Sequence, residues 1–396
     1  MQNSDFDILI AGGGMVGATL GLGLADSGYR VGIIEAQPPG APGQPSYDER
    51  ATALSWGSRC ILERLGLWTD LAPHAEPIRH IHVSQRGYFG NVRLDHREEG
   101  VEALGYVIVN RVLGQVLKTA LAAAPVTLMT PARVTGYTGH DDHLGVQISL
   151  DQTPVPIRTR LLVGADGTRS VVRNLAGIDI HESDYGQVGI IANLSTELDH
   201  RGTAFERFTD EGPVALLPLT PAGDGSPRCA LVWVRSAHRL EETLAWDDGH
   251  FLRVLQDRFG HRLGRLHRVG ARVAYPLTRV RAARDTDTRL VLVGNASHTI
   301  HPVAGQGFNL ALRDVDTLAD LLCRAGREAS DPGDAGLLQR YAARRRPDLD
   351  RVTGVTDALA RLFTTPGFGH VRGAALVALN LCGPLRHGVA RVGMGL

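Results

Sequence analysis

Cysteine is scarce in this 396-residue chain: four residues, Cys60, Cys229, Cys323 and Cys382. They lie far apart and form no C-x-x-C pair. That argues against a disulfide framework or a cysteine-ligated metal and for small buried hydrophobes in a reducing compartment. Long apolar runs are also missing, and none reaches the roughly eighteen residues that a bilayer span needs. Lysine is nearly absent, with Lys118 alone among 42 basic residues, and 42 acidic residues balance the charge to zero. A chain without a basic field is not expected to bind nucleic acid. The opening "MQNSDFDILI" has no basic n-region, so no signal peptide and a cytoplasmic location are expected.

The sequence does contain a clear βαβ pattern. "DFDILIAGGGMVGATLGLGLADSGYRVGIIEA" reads as a buried strand, a glycine turn, a helix from Met15 to Ser27, and a second strand ending at Glu35. "RATALSWGSRCILERLGLWTDL" has Ala53, Leu54, Ile61, Leu62 and Leu65 at helical spacing, and "NRVLGQVLKTALAAA" reads as another helix. From about 180 to 275 the pattern turns to β, with "QVGIIANLST", "PVALLPLT" and "RCALVWVR" interrupted by the helical "DDGHFLRVLQDRFG". After 290 a strand, a loop and a helix from about Gly307 to Ala325 return to the first pattern. The class expected is α/β, a discontinuous nucleotide-binding domain with a largely antiparallel sheet domain inserted. Its boundaries are read as 1–75, 100–178 and 276–345 for the first domain and 76–99 and 179–275 for the sheet domain, with a helical region at 346–396.

Three loops carry chemistry. Gly12-x-Gly14-x-x-Gly17 follows a strand and opens a helix, while Glu35 ends the next strand. A dinucleotide needs this spacing: a tight turn, a close backbone approach for the pyrophosphate, tight helix packing, and an acid for the ribose hydroxyls. The plainer account is a tight turn in an unliganded domain. "GADGTRS", Gly164 to Ser170, sits at a strand end, where a helix cap is the default role for Asp166 or Ser170. "GNASHTIHPVAGQGFNLALRD", from Gly294, combines Pro302 with Gly305 and Gly307 ahead of a helix whose positive end suits an anionic ring. His298 and His301 have no metal-ligand spacing. A structural role suits each better than that of general base, and no metal site is expected.

In this order and at these separations the three motifs resemble the class A flavoprotein monooxygenases, the family of para-hydroxybenzoate hydroxylase. "DERATAL", "AFERFTDEGPVALLPL" and "HPVAGQGFNLALRD" resemble the ubiquinone-biosynthesis hydroxylases more narrowly. Asn295, where the wider family has aspartate, resembles the UbiH branch, the 2-polyprenyl-6-methoxyphenol hydroxylases. The resemblance implies an FAD-binding Rossmann-like domain of the GR2 type under an antiparallel substrate sheet. It implies FAD contacts at Gly12, Gly14, Gly17, Glu35, Arg50, Arg111, Asp166, Gly167, Asn295, Gly305, Gly307 and Asn309. Pro302, Gly305, Gln306 and Gly307 would face the flavin, acting through backbone, and Phe205, Phe208 and Tyr275 would wall the substrate pocket.

The reaction implied is hydroxylation of a polyprenylated methoxyphenol through a flavin hydroperoxide, with O2 as co-substrate and NAD(P)H or another reductant as electron donor. Alternatives are a soluble phenol, another ring position of the quinone precursor, a reductase of the geranylgeranyl type, and a cofactor-free scaffold subunit. The apolar stretch from His370, flanked by Arg372, Arg386, His387 and Arg391, could pack on the protein's own core. The alternative is that it rests on the inner membrane surface or on a ubiquinone-biosynthesis complex.

Overall fold

The computed structural model describes residues 5–38, 50–300, 305–364 and 369–396. Ile8, Leu9 and Ile10 are fully buried because their strand, Phe6–Ala11, lies between two layers. A parallel strand covered on both faces must be apolar on both. Strands Val31–Ile34 and Thr153–Gly164 flank it in parallel, with Ile10 opposite Ile33 and Val163. Leu290–Leu292 and Val126–Met129 extend the parallel core on either side.

One face of this eight-stranded sheet carries helices Met15–Gly23, Asn110–Ala123 and Gly307–Arg327. Over the other folds an antiparallel hairpin, Ala132–Gly139 and Leu144–Leu150, which the sequence reading did not resolve.

The second sheet has nine strands and is mostly antiparallel, built on Ile180–Thr196, Thr203–Phe208, Pro213–Leu219, Arg228–Ser236 and Val273–Ala282. The hairpin His80–Gln85 and Asn91–Asp95 joins its edge, running parallel to Thr203–Phe208. Helix Asp248–Phe259 covers the outer face. The segment expected to be helical from Arg50 onward is corrected. Ala51–Ser55 is a strand paired with Gly105–Val109, and the helix Trp56–Arg64 starts only where the Ser55 hydroxyl accepts the Ser58 N–H.

Helix Ala335–Thr364 ties the two sheets together, its Asp357 bonding Tyr185 and Arg279 of the second sheet. Two last helices, Gly369–Leu381 and Gly383–Met394, return over the edge hairpin. There Leu376, Ala390 and Met394 pack with Val92, Leu94 and Phe208. This is the plainer of the two expectations for the C-terminal stretch, although part of its apolar surface stays outside.

Candidate active site

The C-terminal ends of the parallel strands bring the three loops together, where open α/β sheets place their ligands. Ala165 N–H donates to the Ala11 carbonyl at 2.8 Å and Val293 N–H to that of Gly164 at 2.9 Å. Gly12 has φ +102°, and a Cβ there would lie 2.5 Å from the Ala165 carbonyl oxygen. At Gly17 a Cβ would lie 1.8 Å from the Gly12 carbonyl. Both glycines are thus required by contact. Gly14 caps helix Met15–Gly23 without a side chain, and the first turn holds no acid, so its N–H groups face the loop unopposed.

Glu35 reaches into this loop. Its carboxylate accepts the Gly13 N–H and the Gln37 N–H, each at 2.7 Å. A cleft of about 240 Å³ opens beside it, lined by Gly13, Gly14, Met15, Glu35, Lys118 and Thr130. Lys118 stood out in the sequence only as the lone lysine and was not expected at the site. A shallower concavity of about 510 Å³, around Asp5, His140 and Arg158, is lined by other residues and touches none of the three loops.

Asp166 is a helix cap. Its carboxylate accepts from the Ser170 hydroxyl and from the Val171 and Val172 N–H groups, and Ser170 in turn accepts from Arg173. Gly167 follows at φ +81°. Arg50 and Arg111 are brought side by side, since Asn110 N–H donates to the Arg50 carbonyl at 2.7 Å. The Arg50 guanidinium lies 4.6 Å from the Tyr275 ring centroid.

In the third loop Gly294 takes φ +57° and donates its N–H to the buried Asp314 carboxylate at 2.9 Å. Asp314 also accepts from Arg345 Nε at 2.7 Å, and Arg345 and Arg313 both bond Asp348. Burial alone would depress Arg345, but the charges and hydrogen bonds of Asp314 and Asp348 prevail and hold it protonated. This charged base under the loop was missed, because its members lie in "ALRD" and "RRRPDLD", some thirty residues apart. His298 is buried 3.7 Å from Asp314. Burial lowers its pKa against the pull of Asp314 and Asp285, which keeps the ring neutral and suits a structural role. Asn295 is exposed on the turn Gly294–Ala296. Pro302 and His301 lie outside the described residues.

Gly305 takes φ +60° and its carbonyl accepts from Asn309 Nδ2. Asn309, expected at the FAD, has its side chain turned to the protein. Its amide also donates to the Ala53 carbonyl and accepts from Ser55 N–H and the Ser58 hydroxyl, so both ends are engaged within the protein. Asn309 is a clamp that fixes Gly305 against the strand Ala51–Ser55. Gln306 donates to the Gly393 carbonyl at 3.1 Å, joining the loop to the last helix. Gly307 opens helix Gly307–Arg327, again with no acid in its first turn.

Of the expected pocket walls, Phe205 is corrected. It points to the outer face of the second sheet and packs edge-on against Phe259 at 5.9 Å. Phe208 faces inward among Trp56, Leu376 and Met394, and Tyr275 lies under Arg50.

Residues 5–356 match the family described as FAD binding domain. The chain is 40% identical over 393 residues to ubiquinone hydroxylase UbiL of Rhodospirillum rubrum, covering 98% of this chain and 89% of that protein. To 3-demethoxyubiquinol 3-hydroxylase of Escherichia coli it is 34% identical, over the whole of both chains. The chain belongs to the UbiH/COQ6 family of FAD-dependent hydroxylases. Its fold is that of p-nitrophenol 4-monooxygenase PnpA from Pseudomonas putida, at TM-score 0.78 and 19% identity, covering 97% of this chain and 96% of that one.

As a member of the UbiH/COQ6 family, the protein is an FAD-dependent monooxygenase that uses O2. The residues present fit that cofactor. Close backbone packing holds the glycine loop at Gly12 and Gly17, the N–H groups at the Gly14 cap are unopposed as a pyrophosphate needs, and the cleft beside Glu35 continues from them. Among the described residues no group of three or more His, Cys, Asp or Glu is placed to hold a metal ion.

Proposed function

We propose that this chain hydroxylates the aromatic ring of a polyprenylated methoxyphenol on the route to ubiquinone. The observation that carries this reading is the convergence of the loops that begin at Gly12, Gly164 and Gly294, with Gly305 set against Ala53, which packs on the inner face of the second sheet. Full-length similarity to proteins named for ubiquinone and demethoxyubiquinol hydroxylation supports the substrate class.

In this reading Gly12, Gly14 and Gly17 receive the pyrophosphate and Glu35 the adenosine ribose, while Arg50, Arg111, Asp166 and Gly167 border the FAD. Asn295, Gly305 and Gly307 hold the flavin end, with Pro302 and Gln306 in the same loop. Bound FAD, reduced by NAD(P)H or another donor, supplies the redox chemistry that places one oxygen atom of O2 on the ring. The chain's own part is to bind, orient and exclude water, and to present the positive end of helix Gly307–Arg327 to negative charge on the flavin.

A polyprenylated substrate resides in a membrane, and no described helix is long and apolar enough to cross one. Val371, Leu381, Leu385 and Val389 on the last two helices, with Phe89 at the hairpin tip, are exposed apolar side chains. Arg391 lies on the second of these helices. This face is proposed to rest on the cytoplasmic surface of the inner membrane, with a partner of the biosynthetic complex as the other occupant.

The test is the quinone intermediate that accumulates when the gene is deleted. A prenylated ring lacking one hydroxyl is expected, restored by the wild-type gene. Turnover of a simple hydroxybenzoate with none of a prenylated methoxyphenol would defeat the reading. The name of the Escherichia coli relative favours a second reading, hydroxylation at another position of the same ring, and the missing hydroxyl of the accumulated compound separates the two.

A further inference from the structure

The two faces of the nine-stranded sheet are unlike. On the outer face Ile190, Leu194, Val214, Leu216, Leu231 and Trp233 are buried under helix Asp248–Phe259. The residues interleaved with them on the inner face, Ile191, Ala215, Leu217 and Val232, keep exposed surface. Strand pairing sets them in rows. Val273 lies opposite Ile191, Ile191 opposite Val232, Val232 opposite Ala215, Ala215 opposite Glu206, and Glu206 opposite Val83. Directly paired residues share a face, so one row of side chains crosses the inner surface. Every member is aliphatic except Glu206.

Packed layers close both flanks of that row. On one side Ala204, Leu219 and Ala230 meet Val107, Val109 and Ala53. On the other, Phe208 meets Trp56, Leu376 and Met394. Ala53 is the residue whose carbonyl Asn309 holds, and its methyl lies 3.3 Å from where a Gly305 Cβ would be. Glu206 therefore occupies the strip between two closed contacts, on the side of the sheet that meets the third loop's support. It retains accessible surface although it lies deep in the molecule. Among the described residues no hydrogen bond or ion pair meets its carboxyl. An unpartnered buried carboxylate is costly to keep.

We propose that the strip between these flanks is where the substrate ring binds and that Glu206 is its base: its carboxylate accepts the hydrogen bond of the substrate's ring hydroxyl and receives that proton during hydroxylation. The inference rests on the ring-hydroxylase reading above. The phenol O–H bond breaks, a carboxyl O–H bond forms, and the electron pair stays on the ring oxygen. That oxygen then feeds the ortho and para carbons, where an electrophilic oxygen adds. The aliphatic neighbours Val83, Ala215, Val232 and Ile191 suit the prenyl-bearing side of the same ring.

Burial pushes the Glu206 carboxyl up to about 7, where a general base works well near neutral pH. Of the charged groups on bordering elements, Arg207 is on the outer face, Arg372 lies against Gln85, and Arg50 covers Tyr275. Burial alone accounts for the shift.

Glu206→Gln keeps the shape and removes the charge. The test is binding of a geranylated methoxyphenol to oxidised holoenzyme without reductant, followed by flavin absorbance. Wild-type affinity should strengthen as pH rises through about 7. In E206Q the step should vanish and affinity fall about tenfold, with flavin occupancy unchanged. E206D should retain a step. Stability gives a reading without ligand. A carboxyl raised from 4.5 to about 7 contributes fully below 4.5 and loses that contribution as pH rises through 7, so E206Q should raise Tm at alkaline pH and not in acid. An E206Q enzyme with the wild-type pH step and affinity overturns the proposal and leaves the ring-hydroxylase reading standing. Wild-type holoenzyme that binds no prenylated phenol at any pH overturns both.

Discussion

Asp314 touches no part of the cleft, yet it sets where the third loop begins. It is buried, accepts the Gly294 N–H and the Arg345 guanidinium, and sits over the Arg345–Asp348–Arg313 chain. Asp314→Ala leaves a buried cation short of its partner and a loop N–H without an acceptor, a loss of about 3–5 kcal/mol. Urea denaturation should show that loss, together with weaker flavin retention. An unchanged midpoint would mean the chain of charges is slack. His82 provides a pH signature at the same scale. Burial, with Arg262 3.0 Å away, lowers its pKa to about 4. A histidine depressed on folding stabilises above its unfolded value of 6.5, and that contribution is lost as pH falls toward 4. At about 1.4 kcal/mol per unit the loss is at most about 3 kcal/mol. Denaturation of wild type and His82→Gln across this range should show the variant with the flatter dependence.

Elements decide what single residues can reach. The last helix touches the third loop directly through Gln306 and the Gly393 carbonyl, and Met394 helps to bury Phe208. Deleting residues 383–396 should therefore leave the parallel-sheet core folded and FAD bound, while hydroxylation falls by an order of magnitude or more, since loop position sets reactive geometry. Full turnover by the shortened chain would show that the tail only decorates the edge hairpin. The same scale explains what the sequence could and could not reveal. The glycine loop and Glu35 were legible because spacing, strand and helix occur within thirty residues. Phe205 and Glu206 are neighbours in one strand, and only the pairing of Thr203–Phe208 with two others says which faces inward. Ala53 and Leu54 fit a helical period but pair with Val107 and Tyr106, a partnership across some fifty residues with no local mark. The Gln306–Gly393 bond spans 87 residues and was equally invisible. Asp166 was readable, as the cap that its position before a short helix suggested.

At the scale of the whole molecule, the third loop and the exposed apolar face on the last two helices belong to one arrangement. Val371, Leu381, Leu385 and Val389 open outward from the same helices that close over Phe208. Docked on a lipid surface, this face would hold a prenylated ring close to the proposed ring site. Leu385→Glu with Val389→Glu should abolish cosedimentation with anionic vesicles and raise KM for a long-chain substrate. It should leave turnover of a short-chain analogue intact. Vesicle binding that survives the double change would place the membrane contact elsewhere.

The central claim, that FAD and O2 hydroxylate a prenylated ring here, has a direct measurement. Purified holoenzyme is given a short-chain prenylated methoxyphenol, NAD(P)H or a chemical reductant, and isotopically labelled dioxygen, and the product is read by mass spectrometry. The account predicts a hydroxylated ring carrying a single labelled oxygen atom, and no product without oxygen or after flavin removal. Product formed anaerobically, or a new hydroxyl bearing oxygen from water, would contradict it.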